Sequence, residues 1–134
     1  MPKPPILIDS SVWIEYYRPR GPKTLQDRVQ EILDRDLVVT TGIVVVEVLQ
    51  GAKTEEAYST LQQDFAGLRW LEPSLQAIEE AARLGFELQR YGTPVPATDL
   101  LIASVVLQHG YRLWHRDAHF ARIAARTHLQ AQTV

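Results

Sequence analysis

Four acidic side chains in this sequence each stand beside an apolar segment. They are Asp9 directly after the run 6–8, Glu47 inside a valine-rich stretch, Asp99 at the start of segment 97–110, and Asp117 just after segment 111–115. A carboxylate that leaves water needs a partner, and no lysine is placed to supply one. Mg²⁺ and Mn²⁺ prefer oxygen ligands, and two such ions about 3.5–4 Å apart can stabilise the attacking and leaving oxygens of a phosphodiester. The acids therefore indicate metal-dependent phosphodiester cleavage, if the fold brings them together.

Each of these positions also has an ordinary structural explanation. Capping of a following helix would account for four polar residues: Asp9, Ser10, Ser11 and Asp117. Asp99 could complement the dipole of the helix that it opens. Glu47 is the hardest to explain in this way because valine and leucine surround it.

A zinc site is a second possibility for the end of the chain. His115, Asp117 and His119 lie within five positions of one another. Zinc sites need a third or fourth ligand in fixed geometry, and the sequence indicates no such completed set. His119, which precedes Phe120, is better explained as the first residue of a helix.

The segments that carry the acids alternate between strands and helices. Short apolar or β-branched stretches predict strands at 6–9, 37–40, 69–73, 111–115 and 128–132. Helical spacing predicts helices at 10–18, 25–33, 55–68, 74–92, 97–110 and 119–126. This order predicts an α/β fold of three layers, with a short, mostly parallel sheet of about five strands between helices. The carboxyl ends of parallel strands share one edge, so we expect Asp9 and Asp117 to face one crevice that Asp99 and Glu47 can also reach.

The segment 41–51 allows two conformations. Its β-branched residues favour a strand, and "LVVTTGIVVVEV" could then form a hairpin that turns at Thr41 and Gly42. A helix from Thr41 would instead place Val44, Glu47 and Val48 on adjoining faces. Local rules alone do not choose between these two.

Several large apolar side chains have predicted positions. In the longest helix Leu75, Ile78, Ala82 and Phe86 form the apolar pattern, and the three tryptophans, which all have apolar neighbours, are predicted in the core: Trp13, Trp70 and Trp114. The aromatic residues of helices 10–18 and 55–68 are candidates for an interface between subunits, with burial in the core as the alternative: Trp13, Tyr16, Tyr17, Tyr58 and Phe65.

Composition limits the class of protein. A chain of 134 residues predicts one domain, 1–134, and the absence of cysteine excludes disulfides and thiolate metal sites and fits a reducing cytoplasm. The run 6–8 is too short for the core of a signal peptide, and no stretch has the length of a membrane span. The net charge of −2 gives no global attraction to nucleic acid. Contact with a nucleic acid would therefore depend on local arginines, for which Arg112, Arg116 and Arg122 are the candidates.

Three stretches together resemble one known family. They are "ILIDSSVWIEYYR" at 6–18, "TTGIVVVEVLQG" at 40–51 and "VPATDLLIASVVLQHGYRLWHRDAHFARIA" at 95–124. In this order the chain is similar to the PIN-domain ribonucleases, and among them to the VapC-type toxins of type II toxin–antitoxin pairs. The resemblance implies a PIN-like fold with a helix at 41–51.

The resemblance also implies a site and partners. It places metal-binding acids at Asp9, Glu47, Asp99 and Asp117, and a hydroxyl after the first acid that Ser11 or Ser10 would supply. The implied activity is that of an Mg²⁺- or Mn²⁺-dependent endoribonuclease with an RNA substrate, a cognate antitoxin and a homodimeric assembly. The alternative is a non-catalytic α/β interaction or RNA-binding domain.

Overall fold

The computed structural model describes residues 3–134 and contains a sheet of five parallel strands. The strands are β1 (Ile6–Ile8), β2 (Val38–Thr41), β3 (Arg69–Leu71), β4 (Arg112–His115) and β5 (Gln130–Thr133), in the order β3-β2-β1-β4-β5. The helices are α1 (Ser10–Tyr17), α2 (Lys23–Asp34), α3 (Gly42–Leu49), α4 (Glu55–Ala66), α5 (Leu75–Arg90), α6 (Ala97–His109) and α7 (His119–Ala124). The predicted α/β class is therefore confirmed, with a sheet that is parallel throughout. Residues 1 and 2 of the predicted domain lie outside the described residues.

The central strand β1 fixes the position of the first acid. Its three residues are buried and pair with β2 on one side and β4 on the other, with Ile8 opposite Trp114. The next residue, Asp9, donates its backbone N–H to the carbonyl of Trp114 at 2.9 Å. Asp9 thus stands at the edge formed by the carboxyl ends of β1 and β4.

The ambiguous segment 41–51 forms a helix after one last strand residue. Thr41 ends β2 and α3 begins at Gly42. Four apolar side chains of α3 are buried in the core: Val44, Val45, Val48 and Leu49. Their burial outweighs the β propensity of valine, which is modest and depends on context. The helix implied by the family resemblance is correct, and the hairpin is not.

The longest helix, α5, packs with a different face from the one that its large apolar residues predict. Leu75, Ile78 and Phe86 are 73%, 42% and 49% exposed, and Ala82 is exposed with them. The buried face consists of Ala77, Ala81 and Leu88 and lies against α6.

Small residues explain this reversal. A Cβ atom placed on Gly85 would lie 2.6 Å from Cδ1 of Leu100, so α6 approaches the backbone of α5 closely at this point. The large residues are left on the opposite face, where they form a solvent-exposed apolar stripe.

The aromatic residues divide between core and surface. Trp13 and Trp114 are buried as predicted, but Trp70 is 47% exposed, although its indole N–H donates to the carbonyl of Phe65 at 2.8 Å. Phe65 is 1% exposed and packs edge-on against Trp13 at 5.0 Å, so it is a core residue rather than an interface residue.

Among residues 3–134 no helix combines the length and the apolar character needed to cross a bilayer.

Candidate active site

Ser11 holds Asp9 in position at the sheet edge. The Oδ2 atom of Asp9 accepts hydrogen bonds from the backbone N of Ser11 at 3.1 Å and from its Oγ at 2.5 Å. The same hydroxyl accepts the backbone N–H of Arg116 at 3.0 Å. Asp9 is also the N-cap of α1, so its capping role exists beside its place in the site. Ser11 therefore joins the end of β1 to the segment that follows β4.

Ser10 makes a different contact. Its Oγ donates to Oε1 of Glu47 at 3.3 Å and so links the start of α1 to α3. Glu47 is half-buried and lies on the inner side of α3, between the buried Val44 and Val48. Both serines thus orient a carboxylate, Ser11 that of Asp9 and Ser10 that of Glu47.

A second group of side chains joins α6 to the start of α7. Asp99 is buried in the first turn of α6, and its Oδ2 lies 2.9 Å from Nδ1 of His119. The same Nδ1 lies 3.0 Å from Oδ1 of Asp117, which also accepts the backbone N–H of His119 at 2.9 Å. One ligand atom from each of the three residues lies within 4.8 Å of the other two.

The charges of Asp9 and Glu47 interact with those of Asp99 and Asp117. Burial raises the pKa of Asp9, and the charge of Asp117 raises it further, while the hydrogen bonds from Ser11 act in the opposite direction. Burial and then the charge of Asp9 raise the pKa of Glu47, to which Asp99 and Asp117 also contribute. Burial also raises the pKa of Asp99, against the hydrogen bond from His119 and with the charges of Asp9 and Asp117. The four carboxylates are therefore close enough to repel one another.

The donor set fits a divalent cation. Within residues 3–134, no lysine or arginine lies within ion-pair distance of these four acids, and the basic group that reaches Asp99 and Asp117 is the imidazole of His119. Carboxylates that are partly buried and lack a fixed cation are the oxygen ligands that Mg²⁺ and Mn²⁺ prefer.

The zinc hypothesis named one wrong residue. His115 is 4% exposed, and its Nδ1 accepts the backbone N–H of Asp117 at 3.2 Å, so it supports the chain rather than joining the cluster. Asp99 takes its place beside Asp117 and His119. His119 does begin α7 as predicted, but its contact with Asp99, twenty positions away, was not visible in local spacing.

The three arginine candidates lie in different places. Arg112 begins β4, and its backbone N–H bonds to the carbonyl of Pro5 at 3.3 Å, so it lies at the sheet edge opposite the acids. Its contact with the substrate stays a prediction, although its backbone lies at the end of β4 that is far from Asp117. Arg116 follows β4 beside Asp117, and Arg122 on α7 donates to the carbonyl of Pro94 at 2.8 Å. Both are exposed, and the guanidinium group of Arg116 donates to the carbonyl of Val134 at 3.1 Å.

Fold and site together match a known family. The model of the PIN domain matches residues 6–126, and the chain belongs to the PIN-domain family. Within this family it is 36% identical over 134 residues to ribonuclease VapC11 of Mycobacterium tuberculosis, with 94% of this chain and 96% of the relative covered.

Solved structures agree on the fold. VapBC-1 from nontypeable Haemophilus influenzae matches with a TM-score of 0.76 at 24% identity, over 96% of each chain. VapBC2 from Rickettsia felis, bound to a DNA fragment from its promoter, matches with a TM-score of 0.75 at 16% identity, over 96% of this chain and 98% of that one.

Proposed function

We propose that this protein is a divalent-metal-dependent endoribonuclease and the toxin of a toxin–antitoxin pair. The observation that carries the proposal is the convergence of Asp9, Glu47, Asp99 and Asp117 at the carboxyl edge of the sheet without a lysine or arginine partner among residues 3–134. The similarity to VapC11 over 94% of the chain supports RNA as the substrate.

Each site residue has a proposed task. Asp9, Glu47 and Asp99 hold Mg²⁺ or Mn²⁺ directly or through water, and Asp117 helps to position the ion or the attacking water. When bound, the ion makes water a stronger nucleophile and offsets the charge that develops on the phosphoryl group. Ser11 fixes the Asp9 carboxylate through its two hydrogen bonds, and Ser10 orients Glu47. A side-chain nucleophile is not required. Arg116 adjoins Asp117 in the chain and is exposed, which supports it as a contact of the RNA backbone.

The test is cleavage of RNA by purified protein with Mg²⁺ or Mn²⁺. Asp9→Asn keeps an oxygen that can accept from Ser11 but removes the charge, so we expect cleavage to be abolished while the circular dichroism spectrum is unchanged. Asp27→Asn is the matched control, because Asp27 is an exposed acid on α2 that pairs with Lys23, and it should cleave at the wild-type rate. Equal cleavage rates for wild type and Asp9→Asn would remove Asp9 from the catalytic site, and no cleavage by wild type with either ion would favour a non-catalytic RNA-binding or interaction domain.

An antitoxin has a proposed docking site between α3 and α4. The groove there has a volume of about 540 Å³ and an apolar lining that includes Val46, Leu49, Tyr58 and Trp70. One structural neighbour is a toxin–antitoxin complex from Klebsiella pneumoniae, which supports a segment of an antitoxin as the occupant. The candidate partner is the product of a small neighbouring gene with a DNA-binding N-terminal part.

The groove is tested by copurification with that partner. Val46 is 62% exposed, so Val46→Asp should leave the fold intact and prevent copurification. Leu75→Asp, at an exposed apolar position on α5, should leave it unchanged.

The proposed homodimer uses the stripe on α5. The aromatic residues that the sequence indicated are buried or half-buried in α1 and α4 except for Tyr58. Leu75, Ile78, Ala82 and Phe86 instead form an exposed apolar stripe, with the guanidinium groups of Arg83 and Arg90 over the Phe86 ring at its end. Light scattering at micromolar concentration should give a dimer for wild type and for Val46→Asp, and a monomer for Leu75→Asp. A monomeric wild type would rule the dimer out.

We propose that the protein acts in the cytoplasm, where an RNA-cleaving toxin meets its substrate.

A further inference from the structure

We propose that His119 is a ligand of the divalent ion together with Asp99 and Asp117, and that it makes this site select Mn²⁺ over Mg²⁺. The inference rests on the proposed function, because it concerns the same ion. The other candidate ligands of the site are carboxylates, so His119 would add a nitrogen ligand. That one side chain would then determine which metal the site prefers.

The geometry of the three residues suits a common ion. The Nδ1 atom of His119 lies 2.9 Å from Oδ2 of Asp99 and 3.0 Å from Oδ1 of Asp117. Two ligand atoms at right angles on an ion, each about 2.1 Å from it, lie about 3 Å apart. The spacing of the imidazole nitrogen from the two carboxylates is therefore that of neighbouring ligands in an octahedral shell.

The surrounding structure holds His119 in this position. Its backbone N–H donates to Asp117 at 2.9 Å, so main chain and side chain of one residue both face the same carboxylate. The next residue, Phe120, is fully buried and anchors the start of α7. The side chain of His119 is 34% exposed, and that of Asp99 only 10%. His119 thus lies at the mouth of the site, with its Nδ1 directed inward.

The identity of the donor atom decides the metal. Mg²⁺ is a hard ion that takes oxygen ligands and keeps several waters. Imidazole favours transition ions, and the affinity of nitrogen-containing sites rises along the transition series from Mn²⁺. With the hydrogen of the ring on Nε2, the lone pair of Nδ1 is available to an ion between the two carboxylates. Mn²⁺ therefore gains binding free energy from all three residues, whereas Mg²⁺ gains it from the two carboxylates alone.

A different role for His119 would leave a different pattern. If the ring only neutralised the charges of Asp99 and Asp117, it would compete with any cation, and its removal would strengthen the binding of both ions. If it only held Asp117 in place, its removal would weaken both ions by the same factor. Only a direct bond to the ion makes the loss specific to Mn²⁺.

The first experiment measures metal affinity on the full chain without RNA. Calorimetric titration should show that wild type binds Mn²⁺ more tightly than Mg²⁺. His119→Ala and His119→Gln should lower the affinity for Mn²⁺ by about tenfold or more, the size of effect expected when support of a metal site is removed, and should change that for Mg²⁺ much less. His119→Asp should shift the preference toward Mg²⁺. His128→Ala, at an exposed histidine, is the matched control and should match wild type for both ions.

The second experiment observes the bond itself. Pulsed electron paramagnetic resonance of bound Mn²⁺ should show coupling to an imidazole nitrogen in wild type and in His128→Ala, and no such coupling in His119→Ala. Bound Mn²⁺ without nitrogen coupling, or equal losses for both ions, would overturn the role of His119 while the ribonuclease proposal stands. A wild type that binds neither ion and cleaves no RNA would overturn both.

Discussion

The hydroxyl of Ser11 connects Asp9 to the backbone of Arg116 across 105 positions of the chain. It donates to Oδ2 of Asp9 at 2.5 Å and accepts from the N–H of Arg116 at 3.0 Å. One small side chain thus ties the first acid to the segment that carries the last.

Ser11→Ala should therefore reduce both stability and activity. The substitution removes a donor from a buried carboxylate and leaves the N–H of Arg116 without its partner, which should lower the free energy of unfolding by about 1–3 kcal/mol. Ser10→Ala is the matched control, since Ser10 makes one longer contact of 3.3 Å to the half-buried Glu47, and it should lose less. Urea unfolding in EDTA measures the stability of both variants, and cleavage of RNA measures their activity. A larger loss for Ser10→Ala would make Ser10 the hydroxyl of the site.

The metal-free protein should lose stability as the pH rises above about 4. The pKa values of Asp9, Glu47 and Asp99 are raised above their ordinary values of 3.8, 4.5 and 3.8. Above the ordinary values the unfolded chain releases these protons first, so the free energy of unfolding falls until the pH has passed the raised values. Melting temperatures in EDTA between pH 4 and 8 should follow this decline, which His115 opposes below its ordinary pKa of 6.5 because burial lowers its pKa in the folded protein. Added Mn²⁺ should reverse it at pH 7.5, because the ion binds the folded form.

Asp99→Asn should separate stability from activity. It removes one of several like charges without changing the size of the side chain, so this variant should be inactive yet melt higher than wild type in EDTA at pH 7.5. The two melting temperatures should converge when Mn²⁺ is added, because wild type gains more from the ion. A lower melting temperature in EDTA would mean that the bond of Asp99 to His119, 2.9 Å long, outweighs the repulsion among the acids.

Arginines at the acidic edge should carry the salt dependence of RNA binding. Replacement of Arg116 and Arg122 by alanine should weaken binding to single-stranded RNA. It should also flatten the plot of log affinity against log salt by about 0.7 for each phosphate that the variant no longer neutralises. Arg112→Ala is the control, since Arg112 begins β4 at the other edge, and its slope should equal that of wild type. An equal flattening by Arg112→Ala would place the RNA on a different face.

The sequence predicts the sheet well because strands depend on local patterns. Short apolar runs define the strands, and Asp9 and Asp117 follow two of them that turn out to be neighbours. The conformation of segment 42–49 depends on burial in the folded protein rather than on local pattern. α3 is a helix because four of its side chains are buried, which overrides β propensity.

Two further features depended on contacts that local spacing does not record. The face that α5 buries is set by the close approach of Leu100 to Gly85, so the small residues, rather than the large ones, face the neighbouring helix. The place of His119 in the site depends on Asp99, which belongs to another helix. The periodic pattern of a single segment cannot predict either of these two contacts, because each joins two different helices.

The central position of β1 has a consequence for the time at which the protein becomes active during its synthesis. β1 leaves the ribosome before its neighbour β4, which is made more than one hundred residues later, and the contact of Ser11 with Arg116 waits for the same segment. Asp9 can therefore not be locked in place on a nascent chain until β4 has emerged. If the proposed cleavage activity needs Asp9 in this position, a nascent chain stays inactive toward the ribosome and message that produce it until β4 has emerged.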